Sequence, residues 1–133
     1  MIMGFNVKMK TDKNKSFLES FKYASTGIFT VFKEERNMRY HVSFSLFAIL
    51  ASYLLKLNQV EWLFVMSAIF FVFITETINT CFENLDDLVT NHAYHEIAKK
   101  VKDMAAGAVL ISAIYAITIG IIIFLPKLWQ LFA

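Results

Sequence analysis

Four polar residues follow a very apolar stretch at the spacing of a helix: Glu76, Asn79, Glu83 and Asp87. Residues 60–75 before them are almost all Phe, Ile, Val, Leu, Met or Ala. On a continuous helix, a rotation of about 100° per residue places the four in one stripe roughly 80° wide. Carboxylates repel one another and lose hydration near hydrocarbon, so this stripe requires cations, hydrogen-bond donors or water. The pattern therefore predicts a cation-assisted site at a membrane surface.

Phosphoryl transfer to an alcohol in the membrane is a chemistry that would use these groups. Magnesium prefers carboxylate oxygens and keeps water or phosphate as its other ligands, and Glu35 and Glu83, on different helices, could supply the oxygens. A phosphoryl donor also needs positive side chains, for which Lys102, next to Asp103, is the candidate. Of the four residues in the stripe, Glu76 lies nearest the hydrocarbon. Partial loss of hydration there suits a general base for a membrane-embedded alcohol.

Several of these residues also have a simpler structural interpretation. Lys102 and Asp103 could form a local ion pair at a helix start, and Tyr94 could be merely interfacial. His92 and His95 could be surface loop residues rather than ligands. The sequence contains no Walker-type glycine loop, kinase catalytic loop or zinc motif. The machinery of soluble kinases is therefore excluded.

The composition is that of a membrane protein. Hydrophobic residues make up 57% of the 133 positions and aromatic residues 16%, well above the apolar share of a soluble domain, while charged residues are 18%. Cys81 is the one cysteine, so an internal disulfide is excluded. The net charge of +2 is too small to indicate a nucleic-acid partner. The length corresponds to one domain.

Helical periodicity and apolar runs divide the chain into a tail, a surface helix and three spans. We expect a flexible cytoplasmic tail at residues 1–15 and a single domain at 16–133. Apolar residues at helical spacing in 16–34 predict an amphipathic helix, either lying in the membrane interface or packed on the other helices. The three apolar runs predict transmembrane helices at about 39–57, 60–84 and 103–125. The fold class expected is thus an all-α integral membrane protein.

The ends of the predicted spans follow from turn residues. Residues 56–59 form a tight turn, and the second helix continues past Glu83 to a loop around Asn91 and His92. Pro126 is expected to end the third helix, because proline lacks the backbone N–H group.

The basic residues predict the orientation. Of the 13 Lys and Arg residues, eight precede residue 40 and three lie between the second and third runs, whereas the 56–59 turn and the C-terminal tail hold one each. Cytoplasmic segments are enriched in basic residues, so the N-terminus and the carboxylate stripe are expected on the cytoplasmic side of the membrane.

Two segments resemble the signatures of a known family. Residues 76–87, ETINTCFENLDD, resemble the glutamate, asparagine, glutamate and aspartate signature of the small three-helix membrane lipid kinases. This family comprises bacterial diacylglycerol kinase and the undecaprenol kinases of Gram-positive bacteria. Tyr94, His95, Glu96 and Ala98, followed by residues 102–110, resemble its second signature. The resemblance covers roughly residues 20–125.

The resemblance implies a homotrimer in the bacterial inner membrane, with an N-terminal surface helix, three spans per protomer and active sites shared between protomers. It also implies ATP- and Mg²⁺-dependent phosphorylation of a lipid hydroxyl. The residues that match the family's functional positions are Glu76 as catalytic base, Asn79 as its polar partner, Glu35 and Glu83 as metal ligands, and Asp87, Lys102, Asp103, Tyr23, Tyr94 and His95 near the nucleotide. The diacylglycerol kinase branch has a nucleotide-contacting arginine in the N-terminal segment, whereas no arginine precedes Arg36 here.

The lipid substrate is predicted from a less specific resemblance. Residues 36–41 and the Phe-rich second helix resemble the Gram-positive branch, which favours undecaprenol, and diacylglycerol is the alternative. A small oligomeric proton or ion transporter is a candidate from another class, because buried Glu and Asn also line ion pathways. The polar residues crowd one side of the membrane here, which favours the kinase.

Overall fold

Four α-helices form the part of the chain that the structure describes. The computed structural model describes residues 17–132, so the predicted tail at 1–15 lies outside them. The helices are, in chain order, α1 (Phe17–Glu34), α2 (Arg36–Leu54), α3 (Gln59–Thr90) and α4 (Glu96–Phe132). The all-α class is confirmed. The predicted 16–34 helix corresponds to α1.

A one-residue break separates α1 from α2. Glu35 has extended backbone angles, φ −92° and ψ 119°, so the two helices cannot form one rod. Arg39 closes the break, because its Nη1 donates to the carbonyl oxygen of Lys33 at 2.8 Å. Val31 of α1 and Met38 of α2 are buried at this corner. The corner fixes where the Glu35 carboxylate lies.

The predicted 56–59 turn is present and is held by a capping box. Asn58 accepts from the backbone N–H groups of Val60 and Glu61 at 2.9 and 3.0 Å. The Glu61 carboxylate accepts in return from the Asn58 N–H at 2.8 Å. Lys56 adopts a left-handed conformation, φ 52°, that turns the chain back. Reciprocal capping of this kind gives α3 a sharply defined start.

The helix α3 is longer than a bilayer is thick. Its 32 residues extend for about 48 Å, against a hydrocarbon core of about 30 Å. The helix continues past Glu83, as predicted, to Thr90, and its C-cap Asn91 is left-handed at φ 51°. One continuous helix thus carries the whole carboxylate stripe.

The prediction that Pro126 ends the third helix is wrong. Pro126 lies inside α4, which continues to Phe132. Proline has a φ angle compatible with a helix and removes a single backbone hydrogen bond, so the residues beyond it can resume the helical pattern. Lys127 then forms an ion pair with Glu61 at 3.1 Å, which ties this last part of α4 to the start of α3.

The close contact between α3 and α4 contains two polar bridges. The Thr75 and Ser112 hydroxyls lie 2.7 Å apart, and the Ser67 and Tyr115 hydroxyls 3.1 Å apart. The Tyr115 ring also packs edge-on against Phe71, with centroids 5.7 Å apart. In lipid, where apolar contact adds little, such hydrogen bonds hold helices together.

Two helices of the described chain are long and apolar enough to cross a membrane, judged by length and composition: α3 and α4. The helix α2 has 19 residues, and it carries Arg36, Arg39 and His41 at its start. Its role as a span stays a prediction. Large apolar side chains on its surface, such as Phe44, Phe47 and Leu50, are exposed in the single chain.

We expect Thr75→Val to lower the free energy of unfolding by about 1 kcal/mol, because it removes the interhelical hydroxyl contact while keeping the side-chain shape. Unfolding by SDS in mixed micelles measures this. Thr118→Val is the matched control, because the Thr118 hydroxyl donates to Ile114 of its own helix. Equal losses in the two variants would contradict the proposed contribution of the bridge.

Candidate active site

An apolar groove of about 840 Å³ opens between α2 and α4. Both helices pack on α3, and within residues 17–132 they make no close contact with each other, so α3 forms the floor. The groove extends along α3 from Val65 to Glu83, about 27 Å at roughly 1.5 Å per residue. Small residues of α4, among them Ala113, Ala116 and Gly120, keep it open. The groove can therefore hold a long apolar chain.

The polar residues of the lining gather at one end of this groove: Asn37, His41, Glu76, Asn79 and Glu83. Glu76 is the most enclosed of them, with 1% of its surface exposed. The Asn37 side chain hydrogen-bonds its carboxylate, and the His41 Nε2 lies 4.0 Å from its Oε2. The carboxylate is thus turned towards α2 and the groove rather than towards bulk lipid.

Asn79 lies one turn beyond Glu76 on α3 and contacts the next acidic residue of the stripe. Its Nδ2 donates to Oε1 of Glu83 at 3.0 Å. Its Oδ1 is buried and has no hydrogen-bond partner in the described chain. A buried acceptor without a partner is costly, so this oxygen requires a donor or a cation.

The Glu35 carboxylate reaches the same region from the α1–α2 corner. Glu35 is half-buried, and its charge and that of Glu83 both act on Glu76. The predicted set of Glu35, Glu76, Asn79 and Glu83 is therefore brought together from two parts of the chain. Like charges at this density repel one another, so the cluster as a whole attracts positive charge.

The donor types in this cluster fit a hard divalent cation. Carboxylate oxygens of Glu35 and Glu83 and the unpaired Asn79 Oδ1 are the ligand atoms that Mg²⁺ prefers. Among residues 17–132, no group of three or more His, Cys, Asp or Glu side chains forms a ready-made metal cage. Magnesium bound here would accordingly keep water or phosphate oxygens as its other ligands.

A second cluster lies beyond the first, where α4 begins. Lys102 contacts two carboxylates of α3 at once, Asp86 and Asp87, each at 2.9 Å. Lys102 and Asp103 do not pair with each other, so the local ion pair considered as an alternative does not form. Asp103 pairs with Lys99 at 2.6 Å instead. Side chains one residue apart on a helix point in different directions, which explains the separate partners.

The ion pairs of this second cluster shift the protonation of its members. The hydrogen bond from Lys102 lowers the pKa of Asp87 below its ordinary value. The same contact, with the one to Asp86, raises the pKa of Lys102. The contact therefore favours the charged forms of both Asp87 and Lys102. Because the folded-state pKa of Asp87 is lowered, its pairing stabilises the fold above the ordinary carboxyl pKa. That contribution is lost as the pH falls through the lowered value.

Three of the residues expected near a nucleotide are exposed at the surface. Tyr23 on α1 and Tyr94 in the α3–α4 connection are 60% and 81% exposed. His95 is also exposed. His92, left-handed at φ 61°, lies 3.6 Å from Asp87 and is likewise at the surface.

Residues 22–124 of the chain match the family described as prokaryotic diacylglycerol kinase. This match spans more than half of the 133 residues. The chain belongs to the prokaryotic diacylglycerol kinase family. It is therefore a lipid kinase of a membrane-protein family, as the two signatures predicted, and its family implies ATP and a lipid as substrates. The transporter interpretation is not supported.

Relatives of this lipid kinase have different substrates in their names. The undecaprenol kinase of Bacillus subtilis is 38% identical over 112 residues, which cover 84% of this chain and 90% of the relative. A diacylglycerol kinase of Synechocystis sp. is 39% identical over 116 residues, covering 87% and 66%. A diacylglycerol kinase of Helicobacter pylori is 36% identical over 112 residues, covering 84% and 86%. Identity alone does not decide the lipid.

The structure of this lipid kinase adds three residues to the predicted site: Asn37, His41 and Asp86. Asn37 and His41 meet Glu76 across the α2–α3 contact, which no spacing along the chain reveals. Asp86 could have been found, because it directly precedes the predicted Asp87. Its side chain is 12% exposed and faces Lys102.

We expect Lys102→Met to return the pKa of Asp87 towards its ordinary value, because the hydrogen bond and the charge that lower it are both removed. Carbon-13 NMR of the aspartate carboxyl groups in micelles, between about pH 2 and 7, measures this. Lys99→Met is the control, because Lys99 pairs with Asp103. An unchanged Asp87 titration in Lys102→Met would show that Lys102 is not the cause.

Proposed function

We propose that this lipid kinase transfers the γ-phosphate of ATP to the hydroxyl of undecaprenol in a Mg²⁺-dependent reaction. The observation that carries the proposal is the position of Glu76, a buried carboxylate at the polar end of an apolar groove. A lipid alcohol lying in the groove would have its tail along α3 and its hydroxyl beside that carboxylate. A water-soluble alcohol would not need an apolar groove of this length.

The proposed chemistry is direct in-line transfer. Glu76 accepts the proton of the lipid hydroxyl, and the lipid oxygen attacks the γ-phosphorus of ATP as ADP leaves. Asn79 fixes the neighbouring Glu83 through its 3.0 Å hydrogen bond. Glu35 and Glu83 would hold Mg²⁺, which when bound offsets the charge on the phosphate oxygens.

We assign the second cluster to the nucleotide. Lys102, near the start of α4, is the positive side chain that contacts Asp86 and Asp87 of α3, at the end of the acidic stripe. In the proposal, Lys102 contacts phosphate oxygens. Asp87 positions Lys102, and Asp103 positions the neighbouring Lys99. Tyr23, Tyr94 and His95 provide the surface near the nucleotide. The exposure of these three residues in one chain supports a site completed by a neighbouring copy.

The proposed assembly is a homotrimer in the bacterial inner membrane with shared active sites. Three spans, at about 39–57, 60–84 and 103–125, cross the bilayer, and the N-terminus and the acidic clusters face the cytoplasm. Support for α1 as a surface helix comes from its own exposure: Phe17, Phe21 and Ile28 are uncovered in the single chain, and Val31 is its one buried residue. A helix with an unburied apolar face suits the membrane interface.

Three observations favour undecaprenol over diacylglycerol. Residues 36–41 resemble the Gram-positive branch, and the match with the undecaprenol kinase of B. subtilis covers 90% of that relative. The groove is a single apolar channel of about 27 Å along α3, which suits one long chain. Diacylglycerol, with two chains, remains the second candidate because family relatives named for it are equally similar.

Purified protein in mixed micelles with ATP and Mg²⁺ tests the function, with undecaprenol or diacylglycerol supplied at equal mole fraction. We expect phosphorylated undecaprenol to form with the higher kcat/KM. A higher value for diacylglycerol would reverse the choice of lipid. No phosphorylated lipid from either alcohol would contradict the proposed function.

We expect Glu76→Gln to lower kcat by about 100-fold or more, because general-base catalysis contributes at least that much and glutamine cannot accept a proton. The lipid phosphorylation assay measures this, and size in detergent checks that the variant stays folded. Glu34→Gln, an exposed carboxylate at the end of α1 and outside both signatures, is the control. Retained activity in Glu76→Gln would remove the base assignment.

We expect Glu35→Gln and Glu83→Gln each to raise the Mg²⁺ concentration for half-maximal activity by about tenfold, because ligand charge sets the affinity of oxygen sites for divalent ions. Initial rates across a Mg²⁺ titration at fixed ATP measure this. Glu34→Gln is the matched control, an exposed neighbour of Glu35. The same magnesium dependence in all four proteins would exclude the proposed ligands.

A further inference from the structure

His41 lies beside Glu76 on the wall of the groove. Its Nε2 is 4.0 Å from the Glu76 Oε2, and its side chain is 25% exposed, whereas that of Glu76 is 2% exposed. We propose that His41 is the proton-accepting partner of Glu76, which takes from this carboxyl group the proton removed from the lipid hydroxyl. The inference rests on the proposed function and adds a residue that neither signature contains.

The enclosure of Glu76 creates the need for such a partner. A carboxyl group that is almost fully buried has no direct contact with bulk water through which to lose a proton. The Asn37 amide hydrogen-bonds the carboxylate but has no site that accepts a proton at neutral pH. The Thr80 hydroxyl donates to the Glu76 backbone oxygen and is equally unable to serve as a base. His41, near the start of α2, is the base within reach whose side chain is partly exposed.

The other charged and titratable groups around the pair are poorer acceptors. Glu35, from the α1–α2 corner, and Glu83, from α3, are the two acidic groups whose charge acts on Glu76, and both are assigned to the metal. A carboxylate that holds a cation is a weak base. Tyr40, the other titratable side chain that α2 adds to the groove, carries a phenol hydroxyl, which is a poor base. The α4 residues that line the groove are uncharged, and α1 contributes none to it.

The 4.0 Å separation is about 1 Å longer than a hydrogen bond. A rotation of the imidazole about its side-chain bonds, or one bridging water, closes such a gap. Histidine suits the role because its neutral form accepts a proton on one ring nitrogen and its charged form releases one to water near neutral pH. The partial exposure of His41 supplies that second step.

The proton transfers balance. The lipid O–H bond breaks as the O–H bond on Glu76 forms, and the lipid oxygen bonds to the γ-phosphorus of ATP while the bond to the ADP oxygen breaks. The Glu76 O–H bond then breaks as an N–H bond forms at Nε2 of His41, which gives an imidazolium. The imidazolium releases a proton to water, and both residues return to their starting state.

The test is His41→Gln, assayed with whichever lipid the wild type phosphorylates. We expect kcat at pH 7.5 to fall by at least about tenfold, within the range for proton-transfer groups. The rising limb of kcat against pH should also shift by at least about half a pH unit, because the wild-type limb includes the loss of a proton from His41. A structural role for His41 would not move that limb. Either a smaller loss or an unmoved limb would overturn the proposal.

Ser43→Ala is the control on the same helix, because Ser43 is exposed and its hydroxyl donates to Arg39 of its own helix. His41→Ala with added imidazole is the second variant: recovery of at least about fivefold supports the role, and no recovery overturns it. If neither variant folds, the wild-type profile decides, since a kcat without a rising limb between about pH 5 and 8 overturns the proposal and such a limb supports it. A wild type inactive on both lipids overturns the proposed function itself, whereas an active wild type with an unaltered His41→Gln overturns the His41 role alone.

Discussion

The structure depends on keeping one carboxylate away from water, at the polar end of an apolar groove. Glu76 is 1% exposed and feels the negative charge of Glu35 and Glu83, so its surroundings must supply donors and a route for protons. The side chains that meet it, Asn37 and His41, come from α2. Removing a charged group from water is costly unless it is paired, so this arrangement is hard to explain as packing alone. It is explained if the carboxylate acts on a substrate that reaches it through the groove.

The length of α3 is the second requirement, because one rigid helix then carries residues of both the groove and the cluster at Lys102. From Glu76 to Asp87 the helix rises about 16 Å, enough to join the groove to the cluster at Lys102. No loop intervenes within that distance, so the acidic residues keep a fixed register. The Lys102 contacts with Asp86 and Asp87 then attach the start of α4 to this register. A lipid hydroxyl and a soluble nucleotide can thus be aligned by a single helix.

The sequence predicted what depends on local periodicity. The acidic stripe, the bounds of α1, the 56–59 turn and the extension of α3 past Glu83 all follow from helical spacing and capping residues, and the structure contains them. What the sequence could not give depends on contacts between helices. Nothing in the spacing of Asn37 or His41 indicates that they meet Glu76, and nothing in Pro126 indicates that Lys127 beyond it pairs with Glu61. In that last case local propensity marks Pro126 as a helix end, but the helix continues and its next residue, Lys127, forms an ion pair with another helix.

The two clusters differ in how complete they are within one chain, and the difference follows from what each would bind. The cluster at Glu76 is enclosed by three helices, because a lipid diffuses in the membrane plane and can enter a preformed groove from the side. The cluster at Lys102 is not enclosed by other helices, and Tyr94 and His95, which precede it in sequence, are exposed. This suits a nucleotide with its metal ion, which must enter from water. Lys102 is held by two carboxylates, so bound phosphate would compete with them for the same ammonium group. Nucleotide affinity is therefore expected to depend on how far the metal ion and a neighbouring protomer offset the acidic charge, whereas lipid binding depends on the groove alone.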